Sequence, residues 1–393
     1  MRDKFNKFLY FLAASPIYPF TNSLPLNPLY PIYLLSRPIL ELSKIHPLFW
    51  IFLIYSVITF SFSFISNISN PIFDQTSHFI SFGVVLITLL ILIINFDLSS
   101  EDLFKIVYYA GLSYSILFII YMNINGVPFF DVGGLKALNF PAYPQRFAPV
   151  LILSFFYSLR MLRVNILYFL PLTIILLMIF LTYTRSIYLS FIIAIFYYFT
   201  YLFIFKSSIL FKIISSTFIV VTFIGLSTLY ISAENSDNEN LITIYELFNS
   251  IYLAFYNVLA SSEGTQIISS GSSEFYRLYF WSIALEIFFD NPILGTGFAG
   301  LYQYGYPEYG SVHSQWIDQL LRTGIIGTSI YIVFYIIIFK YYFHKNPFFC
   351  SWIVSLVIYG FFNETTKEIP VGIIFFTMLN FAINSEVKSK IRI

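Results

Sequence analysis

Arg146, Arg185 and Arg277 stand in the connections on one side of the chain's apolar segments, the first two at the mouths of those segments. Arginine's planar fork grips phosphate oxygens in pairs of charge-assisted hydrogen bonds. Three such forks at a membrane–water boundary suit a ligand that carries a pyrophosphate. His313 is the only histidine in the long polar interval between Ser232 and Gln315. With an ordinary pKa near ~6.5, a histidine can take a proton from a hydroxyl at neutral pH. Bound phosphate beside it would favour its cationic form. Taken singly, each residue also has a plain reading. An outer arginine anchors a span at the interface, and the pair Gly295 and Gly297 ends a helix with positive φ. Lys136 and Arg322 are assigned to structure, Tyr188 and Trp281 to packing, and the acids between Glu234 and Glu239 to a solvated loop.

The composition sets the solvent for these residues. Hydrophobic types make up 58% of the 393 residues and charged types 10%, against roughly 25% charged in a soluble domain. Lipid must cover most of the surface. A net charge of +1 excludes nucleic acid, whose binding needs a concentrated basic face. Cys350 is the single cysteine, so no disulfide within the chain and no thiolate cluster can form. His46, His78, His313 and His344 are too scattered to read as a metal site. No metal and no cofactor is expected.

A spanning helix needs about 20 apolar residues. Candidates run Pro47–Ile65, His78–Ile94, Leu103–Ile124, Phe147–Leu159, Ile166–Leu181, Ile187–Phe205, Ile209–Ile231, Ile317–Tyr342, Phe348–Phe362 and Ile369–Ile383. Residues 8–36 are apolar but broken by prolines, so they fit two short spans or a re-entrant pair. The expected fold is all-α: one polytopic transmembrane bundle over residues 1–393, with about 10–12 spans. Lysine and arginine in short loops mark the cytoplasmic side. Arg2, Lys4, Lys7, Arg37, Lys44, Arg160, Arg163, Lys206, Lys212, Lys340, Lys345, Lys388, Lys390 and Arg392 share one side when the spans alternate. Both termini are then cytoplasmic. The acidic loop Asp97–Asp102 is the exception.

The interval from Ser232 to Gln315 is the main external loop. It begins polar (AENSDNEN), passes an apolar stretch and a small-residue linker, and reaches a helix. Ser272 or Ser273 can cap that helix, Glu274 favours its positive end and Pro292 lies beyond it. Phe280, Trp281, Ala284, Leu285 and Phe288 give it an apolar stripe.

The run from Arg277 and Trp281 through NPILGTGFAG to HSQWIDQLLRTGIIG resembles the hallmark region of the O-antigen ligase and O-antigen polymerase family. There an arginine-bearing helix leads to a P-[IL]-G-x-G turn, here Pro292, Leu294, Gly295 and Gly297. A histidine follows, then a helix ending near a Gly-[IL]-[IL]-Gly; His313 and Gly324 keep the spacing. TYTRSIYLS around Arg185 is similar to a second family signature, with Ser186 where glycine is common. Arg146 matches by topology only. The resemblance implies a metal-independent GT-C-type glycosyltransferase of cell-envelope polysaccharide or lipopolysaccharide synthesis, in the bacterial inner membrane. The donor would be a glycan on undecaprenyl pyrophosphate, and the site would face the periplasm. Arg146, Arg185 and Arg277 would hold the pyrophosphate, and His313 would deprotonate or orient the acceptor hydroxyl. Gly295, Gly297 and Gly324 would form a positioning turn. Implied partners are the lipid-linked glycan and membrane lipid, with room for a chain-length regulator and a flippase of the same pathway.

Four functions compete on these grounds. A polymerase would move a growing chain onto a new lipid-linked repeat unit, and a ligase would move the finished glycan to lipid A–core or a protein. A transporter would need charge deep within spans or inverted repeats, and the clear spans are nearly free of charge. A scaffold gives no reason for arginines and a histidine at one face.

Overall fold

The computed structural model describes residues 7–8, 10–11, 34, 37–40, 45–68, 85–96, 98–128, 144–182, 184–205, 273–297, 300–301, 312–363, 365 and 369–391. Lys136, Ser236, the span Ile209–Ile231 and most of 8–36 lie outside these residues. Nine helices carry the argument. They are α1 (Pro47–Ile68), α2 (Ser100–Ile124), α3 (Pro144–Leu162), α4 (Phe169–Phe180), α5 (Arg185–Phe205), α6 (Ser273–Asp290), α7 (Gln315–Tyr342), α8 (Pro347–Gly360) and α9 (Ile369–Ile391). Among the described residues α2, α5 and α7 are long and apolar enough to cross a membrane, and five shorter apolar helices accompany them. The all-helical class follows from the solvent. Lipid offers backbone N–H and C=O groups no partner, so each spanning segment must satisfy its own.

The chain forms two compact units, Met1–Phe196 with Phe288–Ile393, and Tyr197–Ile287. In the first, α3 is the central helix, packed against α2, α4, α8 and α9. Its sequence is apolar on every side, and residues 147–158 are buried throughout, as expected of a helix with no outer face. Close packing against α2 uses small residues. Any side chain at Gly111 would run into Ser154, whose hydroxyl donates toward the carbonyls of Val107 (3.0 Å) and Val150 (2.9 Å). Small side chains let membrane helices approach where no hydrophobic effect drives them together. On α8, Trp352 is fully buried and donates its indole N–H to the Pro149 carbonyl at 2.7 Å. The outer helices instead expose apolar stripes, such as Trp50, Ile51, Ile54, Val57 and Ile58 on α1, as lipid-facing surfaces require.

One end of this unit collects charge. Arg160 at the end of α3 pairs with Glu101 at the start of α2 (2.7 Å), and Lys7 with Asp102 (3.0 Å). Ser99 and Asp102 form a capping box on α2. The Arg160 guanidinium also lies 5.2 Å from the Phe348 ring centre. Glu101 and Asp102, acids beside the basic side of the chain, are thus each paired with a cation.

In the second unit the described residues are 197–205 and 273–287. Tyr198, Tyr201 and Leu202 are buried at the end of α5, as are Phe280 and Ala284 on α6, with Trp281 and Leu285 half-buried.

Candidate active site

The Gly-rich turn and the helix after His313 form one structure. Residues 291–297 pack against α7 at Gly324, which breaks the helix with φ 61° and ψ −165°. The expected span Ile317–Tyr342 is present as α7, and at Gly324, near which the family pattern ends a helix, it kinks and continues to Tyr342. A break in a membrane helix strands carbonyls and amides, and each must find a partner. The turn supplies them. Thr296 N–H donates to the Leu321 carbonyl (2.8 Å) and Gly297 N–H to that of Arg322 (2.9 Å). On the other side, Ile325 N–H donates to the Pro292 carbonyl (2.8 Å) and Ile326 N–H to that of Ile293 (3.4 Å). From α1, the Tyr55 hydroxyl donates to the Thr323 carbonyl and faces the Gly327 amide. Five backbone groups released by Gly324 are thereby satisfied from outside α7. A Cβ at Gly295, where φ is 70°, would lie 2.6 Å from the Leu321 carbonyl oxygen and the Gly324 nitrogen.

His313 lies just before α7 with φ 53°, the one non-glycine residue with positive φ among those described. Such backbone costs of order 1 kcal/mol or more and persists where surroundings fix it. The side chain is exposed, while its neighbours Val312, Ser314 and Gln315 are buried. Ser314 caps α7 by accepting from Ile317 N–H. Trp316 donates its indole N–H to the Val357 carbonyl at 3.0 Å.

Arg185 opens α5 and is exposed. The next residue, Ser186, accepts a hydrogen bond from Asn363 Nδ2 at 2.7 Å. The Asn363 carbonyl in turn accepts from Gln315 N–H at 3.2 Å. Gln315 Oε1 accepts from Thr365 N–H at 3.1 Å. The loop after α8 therefore ties the arginine turn to the histidine turn, at the end of the unit opposite Arg160 and Glu101. Both turns open helices, whose positive ends favour an anion. An exposed guanidinium, an exposed imidazole and two helix starts at one end can hold phosphate charge and move a proton.

Arg146 lies in the first turn of α3, with its side chain outside the described residues. Arg277 is on α6 in the second unit and is half-buried. Gly295, Gly297 and Gly324 meet in the turn that braces α7. Arg322 is largely buried and pairs with Asp318 at 2.7 Å, one helical turn away. Among the described residues no three His, Cys, Asp or Glu side chains gather as a metal-holding group. Gln315, Asn363 and Tyr55 were not read from the sequence as site residues, and Ser186 was noted only as a departure from the family's glycine. Asn363, a polar residue between two apolar helices, was the one visible signal.

Residues 170–332 match the family model described as O-antigen ligase, Wzy_C. The matched stretch runs from α4 into α7 and holds Arg185, Arg277, Gly295, Gly297, His313 and Gly324, while Arg146 and Asn363 lie outside it. No curated protein matches the chain. Residues 170–332 of this multi-pass membrane protein are therefore a domain of the O-antigen ligase and polymerase family, whose members transfer lipid-linked glycans.

Proposed function

We propose that the chain is a polysaccharide polymerase, moving a growing glycan from undecaprenyl pyrophosphate to another lipid-linked repeat unit. The observation that carries the site is the tie between the Arg185 and His313 turns through Asn363. The acceptor hydroxyl oxygen attacks the anomeric carbon. The bond from that carbon to the phosphate oxygen breaks, and undecaprenyl pyrophosphate leaves with the electron pair. The hydroxyl proton goes to His313. Arg185, with Arg146 and Arg277, holds the pyrophosphate and neutralises the charge that grows as it departs. Pyrophosphate is a good leaving group, so the step needs no metal.

The membrane orientation belongs to the same proposal. The end bearing Lys7, Arg160 and Arg163 is cytoplasmic by the positive-inside rule, and so are both termini. The Arg185–His313 end then faces the periplasm, and residues 232–315 form an external loop of the single membrane domain. Phe and Tyr, 48 and 32 in number, suffice to line a groove for the lipid tail. A chain-length regulator and a flippase of the same pathway are the fitting partners.

The matched family includes both kinds of transfer, and the second reading is a ligase that transfers the finished glycan to lipid A–core or another acceptor. Gene deletion separates the two on a gel of the strain's surface glycolipid, with complementation by wild type and by His313→Ala. A single-repeat band with no ladder identifies the polymerase. Loss of every repeat from the lipid core, with polymer retained on the carrier lipid, identifies the ligase. An unchanged ladder removes both. His313→Ala is expected to leave the deletion pattern uncorrected, and full correction would remove His313 from the mechanism.

A further inference from the structure

We infer that Asn363 is a positioning residue that sets the arginine turn against the histidine turn, so that pyrophosphate and acceptor meet in register. This rests on the reading of Arg185 and His313 as the transfer site. Asn363 works in two directions at once. Its side-chain Nδ2 donates to Ser186 Oγ at 2.7 Å, one residue from Arg185. Its main-chain carbonyl accepts from Gln315 N–H at 3.2 Å, two residues from His313. The surroundings make this bond stiff. Ser186, Ser314, Gln315 and Thr365 are all buried, where a hydrogen bond is strengthened by low polarity and its loss leaves a polar group without water. Gln315 Oε1 holds the loop again through Thr365 N–H, and Ser314 Oγ reaches the Gly360 carbonyl at 3.4 Å. Three segments far apart in sequence, 184–186, 313–315 and 360–365, are thereby joined by one polar net beneath two exposed side chains.

Asn363 acts through Ser186 and Gln315. Each half of the site would still bind its ligand without the bond, but their separation would drift. A misplacement of about 1 Å can cost on the order of 100-fold in rate. The loss should therefore fall on kcat rather than on donor KM.

The full-length protein in lipid nanodiscs, given an undecaprenyl-pyrophosphate-linked repeat unit, tests this. Asn363→Ala and Ser186→Ala remove the same bond. Each is expected to lower kcat about tenfold or more, with donor KM within about twofold of wild type. The double variant should be no slower than the slower single one, because one bond is lost in all three. Multiplying losses, a raised KM at unchanged kcat, or a loss traced only to a smaller folded fraction overturns the inference. Ser186→Ala changes little volume, so it decides the matter if Asn363→Ala does not accumulate. Arg185→Ala and His313→Ala are assayed beside them. If those two keep the wild-type kcat, the reading of the transfer site fails. If they are inactive while Asn363→Ala and Ser186→Ala run at the wild-type rate, the positioning role alone fails.

Discussion

Gly324 meets two demands that only glycine satisfies. Its φ of 61° with ψ near −165° lies where a side chain is excluded, and a Cβ there would strike the Ile293 carbonyl and lie 2.6 Å from the Gly295 nitrogen. Gly126 also has positive φ, 64°, but nothing lies within 4 Å of its virtual Cβ. Gly324→Ala should therefore cost about 2–3 kcal/mol of stability, combining strain and clash. Gly126→Ala should cost about 1 kcal/mol, for the backbone alone. Thermal unfolding in detergent reads both, and equal midpoints would contradict the account. The same steric logic explains Gly300, whose missing Cβ leaves room for the Arg322 guanidinium 2.8 Å away. With Asp318 as its partner, Arg322 is held inside the protein, in keeping with the structural role assigned to it from sequence.

At the scale of elements, α7 is two helical pieces joined by rungs borrowed from elsewhere. The turn 292–297 supplies four of them and Tyr55 on α1 the fifth. The break costs less because five released groups are paired; the cost reappears when a partner is removed. Tyr55→Phe keeps the ring and deletes the hydroxyl, so the Thr323 carbonyl loses its donor. The expected loss is about 1–3 kcal/mol, read as a lower unfolding midpoint. An unchanged midpoint would mean that another group takes over the Thr323 carbonyl. Since α7 begins beside His313, its rigidity on both sides of Gly324 bears directly on where the imidazole stands.

Across the whole molecule, charge sorts to the ends of the first unit. Lys7, Glu101, Asp102 and Arg160 gather at one end, and Arg185, His313 and Asn363 at the other. Labelling can fix which end faces the cytoplasm. Cys350 is fully buried, so the natural thiol should stay silent to a membrane-impermeant maleimide. Ser236→Cys should label from the periplasm in intact cells. Ser389→Cys should label only after the membrane is opened. Both positions on one side would overturn the orientation, and with it the periplasmic site.

The sequence by itself determined the solvent and the helical class, and it named the residues that we propose do the chemistry. A chain with 10% charged residues must live in lipid, and lipid admits backbone only as helices or closed barrels. Arg185 and His313 were singled out by their place in the outer connections and by the family signatures around them. The tertiary structure alone decided that α7 kinks at Gly324, since the partners of its stranded carbonyls are main-chain amides, whose identity no side chain records. It alone joined Ser186, Gln315 and Asn363, because a hydrogen bond between distant segments depends on how helices pack, and an asparagine in a loop looks the same with or without it.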